Sequence, residues 1–376
     1  MADEKEELGR LREGIDRIDD QVLRLVSERA RLAHRIGEIK KGNIYRPERE
    51  AQVLRRLAGD NPGPLPEGAV RQIVREIMSA CLALEQPLRV AYLGPAGTFS
   101  ETAAKKHFGS GPTLTACGAI DDVFRAVESG NADYAVVPVE NSTEGAVGRT
   151  LDLMLTSPLK VCGEVNLRIQ QNLLSKAGDV RQVKRLYSHA QSLAQCHEWL
   201  NRNLATLPRV PVASNAEAAR MAAEDPESCA IAGEAAAQLY GLHILAASIE
   251  DDPNNTTRFL VLAGHDAGPS GRDKTSFVCS AQNKPGAVHD LLVPLSAHKV
   301  SMSRFESRPA RGFGGSRWEY VFFIDVEGHR EEPEVAAALE ELRGRAGFSI
   351  EMIPPSARRA SSRQTSLSSG SPRARI

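Results

Sequence analysis

Apolar residues recur every three or four positions through the first 40 residues, and this spacing predicts a long amphipathic helix. The apolar positions are Leu8, Leu11, Ile15, Ile18, Val22, Leu25, Leu32, Ile36 and Ile39. A second stripe of the same spacing lies in 69–85, behind a Pro/Gly-rich break at 61–66. We therefore predict an all-helical segment over 1–86.

The pattern changes at Leu88, where short apolar runs begin to alternate with amphipathic stretches. LRVAYLG, ADYAVVPV and RFLVLAG are typical of buried strands, so 88–266 is predicted to be an α/β domain. After the polar linker HDAGPSGRDK, the stretch 274–355 has the order strand, helix, strand, strand, helix, strand. The Ser/Arg-rich residues 356–376 lack periodicity and are predicted to be disordered. The fold class is thus a multidomain chain with one all-α and two α/β parts.

Composition and charge exclude several classes of protein. Charged residues make up 25% of the chain and the formal net charge is −1, which argues against nucleic-acid or membrane partners. The six cysteines are scattered without a CxxC pair, as in proteins with reduced thiols. The polar start MADEKEELGR is not a signal peptide, and no apolar run is long enough to span a bilayer. We expect a cytoplasmic protein.

Charged residues interrupt the helical stripes. Arg29 takes the position after Leu25 in the first stripe, Arg12 and Lys40 each follow an apolar stripe residue, and Glu85 ends the second stripe. Cations on a buried edge are unfavourable unless an anion meets them, which a small dicarboxylate between helices would do. Burial would raise the pKa of Glu85, which could donate a hydrogen bond when protonated. The alternative is a coiled-coil dimer with solvated edge charges.

The run LREGIDRIDDQVLRLVSERARLAHRIGEIK, followed by YRPEREAQVL, resembles the all-helical chorismate mutases. In that family an intertwined helical dimer holds chorismate and guides its rearrangement to prephenate. The resemblance implies that arginines clamp the two carboxylates, that Lys40 and Glu85 donate to the ether oxygen, and that Glu50 contacts the ring hydroxyl. The implied catalytic residues are Arg12 from the partner chain, Arg29, Lys40, Arg49, Glu50 and Glu85.

Two departures from that family's pattern bear on the expected mutase activity. Glu85 stands where many relatives have Gln, so here the side chain must be protonated before it can donate. Arg46 stands where relatives have Asp. An active dehydratase with a weak mutase is therefore one of the alternatives.

Polar clusters stand at strand–loop junctions of the α/β segment. They comprise the predicted capping box Thr98–Glu101, then Glu140 and Asn141, Ser188 and Gln195, and finally Thr257 and Arg258. Each cluster by itself fits a cap or a turn, but ligands in open α/β sheets bind at the carboxyl ends of strands. The repetition predicts one shared cleft. We identify no metal site or nucleophilic triad, and we interpret His189 and His197 as structural.

The stretches GPAGTFSE, PVENSTEGAV, YSHAQSLAQC and NNTTRF follow the order found in prephenate dehydratases, and 88–264 resembles that family. The family has two α/β lobes, similar to type 2 periplasmic binding proteins, with the site between them. The resemblance implies that Thr257 assists departure of the ring hydroxyl, and that Arg258 contacts a carboxylate. The implied substrate-binding residues are Glu140, Asn141, Ser188, Gln195 and Arg258. No cofactor is expected, because aromatisation drives the reaction.

The last domain, with NKPGAVHDLL and RFESRPARG, resembles ACT domains that respond to phenylalanine. The resemblance implies a phenylalanine site across a dimer interface. Its residues would be Gly286, Ala287, Val288, Glu306, Ser307, Arg308 and Pro309. His289 departs from the Gly-Ala-Leu-Val run of relatives, and a dimerisation module without ligand is the alternative.

Together these resemblances predict a bifunctional enzyme of phenylalanine synthesis, inhibited by phenylalanine and assembled as a homodimer or larger. It would convert chorismate to prephenate, and prephenate to phenylpyruvate. A binding or sensory protein is the alternative class, because two-lobed folds and ACT domains also occur in non-enzymes. The triplet Thr257-Arg258-Phe259 favours the enzyme.

Overall fold

The computed structural model of the chain describes residues 2–39, 45–281, 284–309, 320–344 and 348–357. Its N-terminal part consists of three helices, α1 (Ala2–Ile39), α2 (Pro47–Gly59) and α3 (Glu67–Glu85). Both α1 and α2 pack against α3, and the Pro/Gly-rich stretch forms the turn between α2 and α3. The predicted all-helical segment is confirmed.

Most of α1 is not covered by the other described residues of the chain. With 38 residues it is about 57 Å long, twice the length of the 19-residue α3. Its apolar stripe is exposed, for example Leu11 at 60% and Leu25 at 65%. A continuous apolar stripe of this size marks an interaction surface.

The α/β segment folds into two lobes, which are connected by 169–171 and 247–255. The first lobe contains β1 (Arg89–Leu93), α4 (Phe99–Phe108), β2 (Thr113–Cys117), α5 (Ile120–Glu128), β3 (Tyr134–Asn141), β4 (Gly145–Ala146), α6 (Gly148–Met154), β5 (Lys160–Arg168) and β11 (Thr256–Ala263). The second contains β6 (Asn172–Ser175), a 3₁₀ turn (Val180–Gln182), β7 (Arg185–His189), α7 (Ala190–Gln195), α8 (His197–Asn203), β8 (Arg209–Val212), α9 (Asn215–Glu224), β9 (Ser228–Ala232), α10 (Glu234–Tyr240) and β10 (His243–Ala246). The predicted two-lobed architecture is confirmed.

The C-terminal domain has the predicted βαββαβ order. Its elements are β12 (Asp273–Ala281), α11 (Ala287–Ala297), β13 (Met302–Pro309), β14 (Tyr320–Glu327), α12 (Pro333–Gly344) and β15 (Phe348–Ala357). The last strand runs two residues past the predicted start of the disordered tail, because Ser356 and Ala357 still pair with β12. The remainder of that tail, 358–376, lies outside the described residues.

Two sheets organise the α/β part of the chain. The second lobe has a five-stranded sheet in the order β10-β6-β9-β7-β8. The first lobe and the C-terminal domain share a ten-stranded sheet, β13-β14-β12-β15-β5-β11-β3-β1-β2, with β4 paired to β3. The two domains meet where Ala357 of β15 pairs with Gly163 of β5. Backbone hydrogen bonding therefore continues from one domain into the next.

Strand β14 is buried on both faces. Val321 and Phe323 belong to a core that includes Val139 of the first lobe, whereas Ile324 packs with residues of α11 and α12. This explains the nearly continuous apolar run YVFFIDV, since a strand covered on both faces cannot alternate apolar and polar residues. The one charged residue in that run is Asp325, which is 4% exposed.

Candidate active-site cleft

A cleft of about 420 Å³ lies between the two lobes of the α/β segment. The first lobe contributes Thr98, Asn141 and Thr257 to its wall, and the second lobe contributes Gln195 and Asn215. Three of the residues singled out in separate sequence motifs, Asn141, Gln195 and Thr257, are thus brought together. The strand ends meet here because β3 and β11 are neighbours in the sheet.

The hydrogen bond between Asn141 and Thr257 has a defined direction. The pairing of β3 with β11 sets the two residues opposite each other, and Asn141 Nδ2 donates to Thr257 Oγ1 at 2.8 Å. Asn141 Oδ1 accepts from the backbone amides of Thr143 and Glu144, both at 3.1 Å. Because those amides can only donate, the orientation of the Asn141 side chain is fixed. Thr257 therefore accepts from Asn141 and keeps its own proton for another acceptor.

A chain of hydrogen bonds connects the second lobe with this pair. Gln195 Nε2 donates to Thr143 Oγ1 across the cleft at 3.2 Å, and Thr143 Oγ1 donates to Asn141 Oδ1 at 2.6 Å. Gln171, in the first connection between the lobes, donates to Gln195 Oε1 at 3.4 Å. The relative placement of the lobes therefore bears on the orientation of Thr257.

Ser188 lies behind the wall of the cleft and hydrogen-bonds to a residue that lines it. It is fully buried, and its Oγ donates to Asn215 Oδ1 at 3.1 Å. Asn215 in turn donates to Ser192 Oγ at 2.7 Å, and both Asn215 and Ser192 line the cleft. Sequence reasoning did not single out Gln171, Ser192 or Asn215. The available signal was the capping box Ser214–Glu217 after β8, which repeats the pattern of Thr98–Glu101.

His189 also lines the cleft, although we interpreted it as structural from the sequence. Its Nδ1 accepts from Gln191 N at 3.4 Å, so the ring caps the start of α7. His197 lies elsewhere, with Nε2 2.8 Å from Asn201 Nδ2.

The walls of the cleft carry no formal charge but favour anions. Among its described lining residues there is no Asp, Glu, Lys or Arg. Helices α4, α5 and α9 all begin at the cleft, where Thr98, Ile120 and Ser214 line it. Helix N-termini carry a partial positive charge and unpaired amides, and they attract carboxylates. The arrangement suits a small acidic ligand that needs a hydroxyl proton.

Glu140 and Arg258 point away from the cleft, towards the C-terminal domain. Arg258 Nη2 is 2.8 Å from Glu164 Oε2, and Nη1 donates to Asp325. Glu140 pairs with Arg304 at 3.0 Å. Burial lowers the pKa of Arg258, but the charges of Asp325 and Glu164 outweigh this, and the pKa is raised overall. The predicted carboxylate contact of Arg258 does not fit this geometry, because neighbouring residues in a strand face opposite sides.

The arginines predicted for the helical site lie on an open surface of the single chain. Arg12, Arg29 and Arg49 are exposed, as is Arg46, which lies 3.8 Å from Glu48. Arg12 and Arg29 are 17 residues apart on α1, which corresponds to about 25 Å. One small molecule cannot contact both arginines of the same helix.

The two acidic residues of that predicted site lie on α2 and α3. Glu50 is buried, and its Oε1 is 3.6 Å from Arg75 Nε. Glu85 is half-buried and packs against Gly37 of α1, where an added Cβ would lie 3.1 Å from the Glu85 Cβ. Lys40, the other residue predicted to donate to the ether oxygen, lies outside the described residues.

The residues predicted to bind phenylalanine fall on two stretches of the C-terminal domain. Gly286 caps α11 with a φ of 82°, and it is exposed together with Val288 and the neighbouring His289, while Ala287 is half-buried. On β13, the residues alternate in exposure: Ser307 and Pro309 are exposed, and Glu306 and Arg308 are half-buried.

The side chain of Arg308 forms an ion pair with the first lobe, unlike the other residues predicted to bind phenylalanine. It faces the first lobe, where Nη2 lies 3.0 Å from Asp152 Oδ1. A Cβ at Gly148 would lie 2.7 Å from Arg308 Nη1, so a larger residue there would displace the end of the Arg308 side chain.

Within the described ranges, no cluster of three or more His, Cys, Asp or Glu side chains could hold a metal ion. None of the helices found in those ranges has the length and hydropathy of a membrane span.

The fold and cleft define a class of three-domain protein: an all-helical domain, a two-lobed α/β domain and a βαββαβ domain. Family models match all three parts, as chorismate mutase type II over 11–86, prephenate dehydratase over 90–267 and the ACT domain over 275–344. The chain belongs to the bifunctional chorismate mutase/prephenate dehydratase family.

Two curated relatives establish this membership. The bifunctional chorismate mutase/prephenate dehydratase of Neisseria gonorrhoeae is 54% identical over 341 residues, which cover 90% of this chain and 93% of that protein. The Stutzerimonas stutzeri protein of the same name is 49% identical over 348 residues, with 90% and 94% covered. Among solved structures, the prephenate dehydratase of Arthrobacter aurescens in complex with L-Phe has a TM-score of 0.66 at 34% identity, covering 72% of this chain and 90% of that one.

Proposed function

We propose that the chain converts chorismate to prephenate in its helical domain and prephenate to phenylpyruvate in the cleft, under inhibition by phenylalanine. The observation that carries the second activity is the hydroxyl of Thr257, oriented by Asn141 in a cleft at which helices begin. Membership of a family with both activities supports the two-step assignment.

In the dehydratase reaction, the substrate loses carbon dioxide from its ring carboxylate and hydroxide from the opposite ring carbon. The helix N-termini hold the carboxylates, and Gln195 and Asn215 orient the ring from the second lobe. Thr257 directs its O–H at the leaving oxygen, because its lone pair accepts from Asn141. The electron pair of the breaking C–C bond completes the aromatic ring as the C–O bond breaks. The hydroxyl leaves as water with a proton donated by Thr257, which then takes up a proton from solvent.

In the mutase reaction, the protein needs to fold the substrate into its reactive conformer and stabilise the developing charge on the ether oxygen. Arg29, Lys40 and Glu85 from one chain would do so, with Glu50 and Arg49 from α2. The span of about 25 Å between Arg12 and Arg29 supports a role for Arg12 of the partner subunit. A homodimer would also cover the exposed apolar stripe of α1.

Two further parts of the proposal concern regulation and cell compartment. The exposed stretches at Gly286 and Ser307 are available for phenylalanine and a second C-terminal domain. A reducing, intracellular location is supported by the six cysteines, all of them free thiols and five of them buried.

The two active sites are separable by single substitutions. Thr257→Ala removes the hydroxyl and should lower dehydratase activity by about 10²- to 10⁴-fold, with mutase activity unchanged. Arg29→Ala should have the reverse effect. Prephenate and phenylpyruvate are followed separately after chorismate is added. One substitution that destroys both activities in a folded protein would contradict two separate sites.

The direction of the hydrogen bond between Asn141 and Thr257 can be reversed by a substitution that keeps the size of the side chain at position 141. In Asn141→Asp the carboxylate can only accept, so the Thr257 proton turns towards residue 141 and away from the leaving oxygen. Dehydratase kcat should fall on the order of 100-fold. Asn201→Asp, on the surface of α8, serves as the matched control and should leave kcat unchanged. Equal activity of Asn141→Asp and the parent chain would exclude the proposed hydrogen-bond direction.

The mutase reaction should depend on pH through residue 85. A glutamic acid donates to the ether oxygen only while it is protonated, so mutase activity should fall as pH rises. In Glu85→Gln the amide donates at every pH, and the profile should become flatter. Initial rates from mildly acidic to mildly alkaline pH test this. A parent profile that is already flat would rule out the role of Glu85 as a proton-bearing donor.

Phenylalanine should bind the C-terminal domain of the intact protein. Isothermal titration calorimetry with phenylalanine should show saturable heat, and Ser307→Ala together with Gly286→Val should weaken binding about tenfold or more. Absence of heat at millimolar phenylalanine would instead favour a dimerisation module that binds no ligand.

A further inference from the structure

A buried ionic cluster lies between the first lobe and the C-terminal sheet. Arg258 on β11 pairs with Glu164 on β5 and with Asp325 on β14. Lys274 on β12 approaches the other oxygen of Glu164 at 3.0 Å. The side chains of all four are 12% exposed or less. Two positive and two negative groups thus balance one another, and each domain contributes one of the carboxylates.

This cluster is attached directly to the catalytic strands. Arg258 follows Thr257, and because strand neighbours face opposite sides, one points at the C-terminal domain and the other into the cleft. On β3, the pairing with β11 is irregular at Val139, so that Val139 and Glu140 both face the C-terminal domain while Asn141 faces the cleft. A bulge re-aims side chains in this way.

The geometry makes Arg258 a rigid anchor. Its guanidinium is planar, and both ends are occupied: Nε donates to Glu164 at 2.9 Å and Nη1 donates to Asp325. Burial raises the pKa of Asp325, but the charge of Arg258, hydrogen bonds from Ser276 and Arg258, and the charge of Arg304 together outweigh this. The net pKa is lowered, so the carboxylate stays ionised. A fixed guanidinium restricts the backbone at residue 258, and hence the peptide that carries Thr257.

We propose that Asp325, a residue of the C-terminal domain, is a positioning residue for the dehydratase reaction, because it holds Arg258 and through it the hydroxyl of Thr257. Arg258 is then a positioning residue as well, and not a ligand of the substrate carboxylate. This inference rests on the proposed function of the cleft and extends it. The C-terminal domain completes the dehydratase site even when no effector is bound.

The test uses the full chain and its two activities. Asp325→Asn keeps the size of the side chain and removes its charge. Dehydratase kcat should fall on the order of ten- to a hundredfold, since small displacements of a catalytic group have effects of this size. KM for prephenate should change less than about twofold, because no contact with substrate is removed. Mutase activity should be unchanged.

A double-variant cycle separates positioning from a general loss of packing. If Asp325 acts through the hydroxyl of Thr257, its substitution in a Thr257→Ala background, which lacks that hydroxyl, should lower the residual kcat by a smaller factor than in the parent chain. The matched control is Asp266→Asn, which removes another ion pair to the C-terminal domain, Asp266–Arg330 at 3.3 Å. That pair is more exposed and lies past the C-terminal end of β11, whereas Thr257 lies at the start of that strand, and its loss should leave both activities unchanged.

The outcomes are distinct. Three results would overturn the positioning role but leave the proposed function intact. They are a parent-like kcat in Asp325→Asn, an equal fall in dehydratase and mutase activity, and effects of the two substitutions on kcat that simply multiply in the double variant. If Asp325→Asn does not fold, Glu164→Gln tests the same anchor from within the first lobe and should give the same separation of kcat from KM. A parent chain without activity on prephenate would overturn the proposed function, and the positioning role with it.

Discussion

The antiparallel pairing of β3 with β11 determines which side chains reach which surface. It sets Asn141 opposite Thr257 at the cleft, and it turns their chain neighbours Glu140 and Arg258 towards the C-terminal domain. Because the side-chain period of a strand is two, a shift of one residue would exchange these sets. The bulge at Val139 lets one pair of strands present Asn141 and Thr257 to the cleft and Glu140 and Arg258 to the C-terminal domain. The register of this one strand pair therefore sets both the cleft side chains and the contacts between the domains.

The two sites of the chain use different electrostatics. The cleft is lined by described residues without formal charge and relies on helix N-termini, amides and hydroxyls. The helical domain instead presents arginines along an exposed helix. Fixed cations suit a rearrangement in which negative charge grows on one oxygen.

The C-terminal domain is built into the first lobe. The two share one sheet, and β14 buries Phe323 in the lobe's core on one face and Ile324 in its own core on the other. The ionic cluster lies at the same interface, where Asp325 breaks the apolar run. A regulatory ligand that alters this domain would act on strands that carry cleft residues. The proximity gives the proposed inhibition a short physical route.

By itself, the sequence determined the order of elements and the motifs that meet at the cleft, because periodicity, turn residues and caps are local signals. Asn141, Gln195 and Thr257 could be predicted in this way. Only the tertiary structure decided that Arg258 faces away, that Asn215 and His189 line the cleft, and that Asp325 is the partner of Arg258. Those two residues are 67 positions apart, and their contact follows from strand register and a bulge. Long-range pairing selects the face of a strand, and no local pattern contains that information.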